Sequence, residues 1–180
     1  MALNPAKLKQ GLVDVNGSGK NFPKTPLEAA KRWARAYASY AADAMSLGGA
    51  APVPLTPNEA SLAAALTVVF SNPNSLPPQT AQVYAAAFTA FWFSPPVAFP
   101  LTPVGTPLPP PVLPGIVTVV GGSAALPGLL LAAWASNFAA RAPDSVAMTK
   151  LASVLDTFTR TVIVTHLISV PGPPIVGPIS

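Results

Sequence analysis

The chain has 180 residues, enough for one domain with extended arms, and it has no cysteine, which excludes disulfides, thiolate metal sites and cysteine nucleophiles. Only 9% of its residues are charged, against about a quarter in an ordinary soluble domain, and 24 are proline. An apolar content of 51% argues against disorder, and the prolines punctuate periodic apolar runs, as in short elements joined by stiff extended connections.

The net charge of +4 lies in the first 47 residues, where Lys7, Lys9, Lys20, Lys24, Lys31, Arg32 and Arg35 face only Asp14, Glu28 and Asp43. A basic end could touch nucleic acid or an acidic partner. A solvated helix face explains the same side chains and is the preferred reading. Residues 1–25 read as an N-terminal arm of mixed polarity, without the apolar run of a signal peptide. Within it, Gly17-Ser18-Gly19-Lys20 has Asp14 where a phosphate-binding loop needs its first glycine and Asn21 where it needs Ser or Thr.

A first helix is predicted from Pro26, with Thr25 as N-cap and Glu28 three residues on. Trp33, Tyr37, Tyr40, Ala44 and Leu47 share one face, charged residues share the other, and Gly48-Gly49 is the expected end. Thr56-Pro57-Asn58-Glu59 reads as a capping box opening a second helix, with Leu62, Leu66 and Val69 buried and a stop at Asn72-Pro73-Asn74. A third helix follows Pro77-Pro78, carries Tyr84, Ala87, Phe88 and Phe91 on one side, and ends before Pro95-Pro96.

After a proline-rich insert, 100–114, the run 112–120 has a β-like composition. A fourth helix starts at Pro127 with a Leu131, Trp134, Phe138 stripe, and a fifth after Pro143 with Met148, Leu151, Leu155 and Phe158 inward. Thr161 to Val170 is β-branched and alternating, a strand. Residues 171–180 read as an extended C-terminal tail suited to lying on a neighbouring chain. The expected fold is mainly α with minor β: four to five short helices in a single domain, 26–170, between two arms. An offset of 67 residues aligns Tyr84 with Leu151, Phe88 with Leu155 and Phe91 with Phe158, which suggests two helix-loop-helix-strand repeats, 57–99 and 126–168; chance matching of alanine-rich helices stays open.

Val112 to Ala135 is uncharged and long enough to span a bilayer, but Pro114, Gly115, Gly121, Gly122, Pro127 and Gly128 interrupt it. No membrane span is expected. The sequence identifies no reaction. His166, the single histidine, alternates with Val162, Val164, Ile168 and Val170 on a strand's apolar side, a packing or interface position. The six acids show no cooperating spacing and no cluster suggests a metal, so no catalytic residue, cofactor or metal ligand is assigned. The run 107–114 suits a stiff surface loop or strap better than an SH3-type ligand. Trp92 and Trp134 could line a ligand pocket, although aromatics dominate cores and interfaces as well.

Residues 60–140 contain no Asp, Glu, Lys or Arg, and surface so poor in charge usually meets something else. The residues expected to contact other chains are Trp33, Tyr37, Tyr40, Phe91, Trp92, Val162, Val164, His166, Ile168, Ile175, Val176 and Ile179. In its Asn4-Pro5-Ala6-Lys7-Leu8 opening, its Trp33/Tyr37/Tyr40 helix and its Val176-Gly177-Pro178-Ile179-Ser180 end, the chain resembles uncharacterised structural proteins of tailed bacteriophages and related contractile particles. The resemblance implies a non-enzymatic virion component (neck, tail, baseplate or capsid decoration), assembled in the host cytoplasm and partnered by other structural chains and copies of itself. It transfers no functional residue. Two other readings are a small-ligand-binding protein with a cleft near Trp92 or Trp134, and a membrane-associated protein using 112–135.

Overall fold

A computed structural model describes residues 3–15, 22–46, 49–72, 76–100, 114–166 and 174–180. The protein is mainly α with minor β. Its elements are α1 (Pro5–Val15), α2 (Pro26–Ala41), α3 (Thr56–Phe70), α4 (Pro77–Phe93), β1 (Ala98–Phe99), β2 (Gly115–Val120), a 3-10 turn (Gly121–Ala124), α5 (Leu126–Ala139), α6 (Asp144–Thr159), β3 (Val162–His166) and β4 (Ile175–Pro178). Among the described residues the two predicted β segments pair with each other, and the sheet runs β1-β2-β3-β4, antiparallel throughout.

The first difference from expectation is α1, inside the segment read as an arm. Its signal is short: Leu8, Leu12 and Val15 recur at helical spacing and are buried, while Asn4 accepts the Ala6 amide on its Oδ1 at 3.0 Å. Gly11 lets α1 approach α2 closely, since a Cβ there would lie 2.9 Å from that of Ala36. Gly17 to Lys20 lie outside the described residues.

Thr25 does cap α2, its hydroxyl accepting from the Glu28 amide at 3.1 Å, but the Glu28 carboxylate reaches the amide of Lys24 rather than that of the cap. The helix ends at Ala41, short of Gly48-Gly49. At α3, Thr56 lies inside the helix and Leu55 is the cap, without a side-chain bond. Asn58, read as part of a capping box, instead turns inward. Its buried amide donates to the carbonyl of Phe91 at 2.6 Å and of Pro95 at 2.7 Å, tying the start of α3 to the end of α4 and the turn after it.

The core lies between the helices and the inner face of the sheet. Tyr37 packs edge-on against Phe88 and Phe91 at 4.7 and 5.0 Å, and its hydroxyl bonds Thr159 Oγ1 at 2.8 Å and receives Trp92 Nε1 at 3.2 Å. Tyr40 donates to Asp156 at 2.5 Å, Asp156 also accepts from Arg160 at 2.9 Å, and Arg160 reaches the carbonyl of Leu3 at 3.1 Å. Both hydroxyls thus spend their polarity internally, as burial requires. Desolvation drives both tyrosines well above the usual phenol range, and the bond to Asp156 raises Tyr40 further.

The order helix, helix, strand occurs twice, as α3-α4-β1 and α5-α6-β3, and Tyr84, Phe88 and Phe91 are buried like their offset partners Leu151, Leu155 and Phe158. The 112–135 stretch is divided, from residue 114 on, among strand, turn and helix, and no helix among the described residues is long and apolar enough to cross a membrane.

Candidate functional site: an aromatic groove and an uncharged sheet face

The structure redistributes the residues expected to meet other chains. Trp33, Tyr37, Tyr40, Phe91, Trp92, Val162, Val164, His166 and Ile179 are buried within the chain's own fold. The cause lies in the chain's own packing: α3, α4 and α6 meet the Trp33/Tyr37/Tyr40 stripe of α2 through Phe70, Tyr84, Phe88, Phe91 and Asp156. Ile175 and Val176 remain exposed, and Ile168 lies outside the described residues. The segment read as an extended tail suited to a neighbouring chain contains β4, paired with β3 of the same chain in register Thr165–Val176 and His166–Ile175. His166 faces inward over Gly115, where a Cβ would meet its ring at 2.5 Å, so only glycine fits opposite it.

Among the described residues, two surfaces combine exposed apolar side chains with an absence of charge. The first is a groove of about 840 Å³ between the start of α4, the end of α5 and the start of α6. Trp33, Phe70, Tyr84 and Trp134 form its aromatic wall, with Trp33–Phe70, Trp33–Tyr84 and Tyr84–Trp134 in edge contact at 5.9, 6.1 and 5.6 Å. Leu131, Phe138, Met148 and Leu151 contribute aliphatic and aromatic surface, Asn72 and Thr80 add polar groups, and among the described residues no charged one lines it. Burial pushes the Tyr84 phenol above its usual range.

The spacing makes Leu131, Trp134 and Phe138 one apolar stripe of α5. The buried stripe of α5 is instead Leu126, Leu130 and Ala133, one step around the helix. The Trp134 stripe is thereby turned into a wall, and Phe138 stands 89% exposed at the mouth. An alanine-rich helix presents two nearly equivalent apolar stripes, so spacing alone does not separate them.

The second surface is the outer face of the sheet. Ile116, Thr165 and Val176 lie abreast on β2, β3 and β4, followed by a row of Val119, Ile163 and Pro178. A bulge between Val117 and Val119 leaves both Thr118 and Val119 on the open side. Ile116, Val119 and Val176 are 46–50% exposed, and no strand carries a charged residue. The hydroxyls of Thr118 and Thr165 bond each other at 2.8 Å.

One connection meets both edges of this sheet. Val53, between α2 and α3, donates to Ala98 of β1 at 2.9 Å, while Met45, just after α2, exchanges two 3.0 Å bonds with Ser180 beyond β4. The bond from Ile179 to Val162 fixes the alternation, so that Val176, Pro178 and Ser180 direct their backbone groups outward. Of these, Pro178 has no amide to donate and Ser180 is already paired.

Comparison with known protein families, characterised proteins and solved structures finds no match to this chain.

Proposed function

We propose that the chain is a non-enzymatic structural subunit of a large assembly, a bacteriophage virion component of the neck, tail, baseplate or capsid surface, which meets neighbouring structural chains through the outer face of its sheet. The observation that carries this reading is that face: aliphatic, half-exposed, uncharged, and with its threonine hydroxyls paired to each other. Covering it strands no charged side chain of the strands, and the Thr118 and Thr165 hydroxyls already hold one bond between them. Contiguous apolar surface of this kind on a folded chain marks a place where another protein sits. The aromatic residues once expected to make the contact stabilise the subunit itself.

Sedimentation of particles from the natural source tests the proposal. The unmodified chain is expected to travel with a very large particle. Ile116→Lys and Val176→Lys, each placing a charge on the open face without touching the core, are expected to fold and to remain in the light fractions. A chain found only at its own mass of 18.3 kDa would sink the reading.

A further inference from the structure

The mouth of the aromatic groove is built around an unusual turn. α5 closes with a double bond pattern in which the Arg141 amide donates to Phe138 O at 3.1 Å and the Ala142 amide to Asn137 O at 2.9 Å. The residue this motif holds in the left-handed region is normally glycine. Here it is Arg141, at φ 45°, the only non-glycine residue with positive φ among those described. An arginine kept where its backbone is strained points to a task for its side chain. Three residues before it stands Phe138, the most exposed large apolar side chain among the described residues, and three after it is the exposed, oppositely charged Asp144.

We propose that groove and rim form a self-association surface whose occupant is a second copy of this chain. Under a twofold axis close to the α5–α6 turn, Phe138 of each protomer enters the other's groove against Trp134 and Tyr84. Arg141 of each then faces Asp144 of the other. An isologous contact requires knob and socket on the same face, and here they adjoin. Charge also matches: an uncharged ring meets an uncharged groove, while the turn beside them carries one charge of each sign, which the twofold brings into two opposite-sign pairs. Lys150, nearby on α6, is held by Ser136 Oγ at 2.6 Å.

Area sets the strength. Phe138 at the mouth is substantially exposed, as are Val68 of α3, Leu76 just before α4 and Val146 of α6, the helices that line the groove, and apolar surface of this kind is on the order of several hundred Å². That is below the roughly 800 Å² per partner of a standard stable interface, so the dimer is weak and concentration-dependent. The inference does not rest on the virion reading.

The test is sedimentation equilibrium of the full chain from about 1 μM to about 1 mM. The expected result is reversible doubling of the 18.3 kDa mass. Phe138→Asp, at a position that leaves the core untouched, is expected to weaken association at least about tenfold with an unchanged circular dichroism spectrum. Arg141→Asp and Asp144→Arg are each expected to weaken it, and the double reversal to restore it. Val176→Lys, on the sheet, is expected to leave it unchanged, which separates this contact from the assembly contact above. A chain monomeric throughout, or a dimer indifferent to Phe138→Asp, overturns the proposal. Saturable binding of anilinonaphthalene sulfonate to a monomer, lost in Phe138→Asp, would overturn it in favour of a small-molecule site.

Discussion

Raising the pH should unfold this protein in one cooperative step, because all three of its tyrosines are held neutral by the fold. Tyr37, Tyr40 and Tyr84 are buried, and desolvation is the leading cause of the upward shift in each. In the unfolded chain a phenol ionises near pH 10. A group whose folded value is raised binds its proton more tightly in the folded state. Its contribution is fully present below about pH 10 and is lost as pH rises towards the folded value. Each tyrosine then removes up to about 1.4 kcal/mol per pH unit, and three together remove about 4 kcal/mol. Against a typical stability of 5–15 kcal/mol, the fold gives way about one to four units above pH 10. Tyrosinate absorbance and far-ultraviolet circular dichroism, followed in the same samples, should change together. Tyr84→Phe should remove a third of the absorbance change and flatten the pH dependence by about 1.4 kcal/mol per unit. Tyrosinate appearing with a midpoint near 10 while the helical signal stays intact would refute the reasoning.

Three further outcomes follow from single contacts. Asn58→Ala removes the donor shared by the Phe91 and Pro95 carbonyls and should cost about 2–4 kcal/mol, read as a lower denaturant midpoint at unchanged slope. Gly115→Ala drives a methyl into the His166 ring and should cost about 1–3 kcal/mol in the same assay, with His166→Ala restoring part of the loss in the double variant. Arg141→Gly should raise the thermal midpoint, since relieving an L residue in the left-handed region is worth about 1 kcal/mol, while weakening self-association. A midpoint that falls would show that the arginine side chain supports the monomer itself.

The helices from α2 to α6 were legible because proline, a polar cap or an apolar period marks where each begins. Pro26, Pro77 and Pro127 each sit in the first turn of their helix. The helix of residues 5–15 was not, because three apolar positions in a lysine-bearing segment resemble an arm until α2 and α6 are there to receive them. The two β segments are legible in the sequence and their pairing is not, since composition reports a strand but not its neighbour. The surface was the least legible part. Apolar residues look alike whether they fill a core or cover a face: Trp33 and Trp92, expected to contact other chains, are buried, while Phe138 of the α5 stripe stands exposed. Asn58 gave no warning because Asn after Thr-Pro is ordinary at a helix start. Nothing local announces that its amide is aimed at carbonyls 33 and 37 residues away.

The backbone stitches from Met45 and Val53 decide how this protein can aggregate as well as how it folds. A sheet grows without limit only by adding strands at an edge, and here β1 is met by one end of a single connection while the chain beyond β4 is met by the other. What stays open is a face, and two faces laid together consume each other. A preparation concentrated until it associates should therefore give counted, finite species, and seeded elongation into fibrils, with only short stretches of edge left open, should be slow to start.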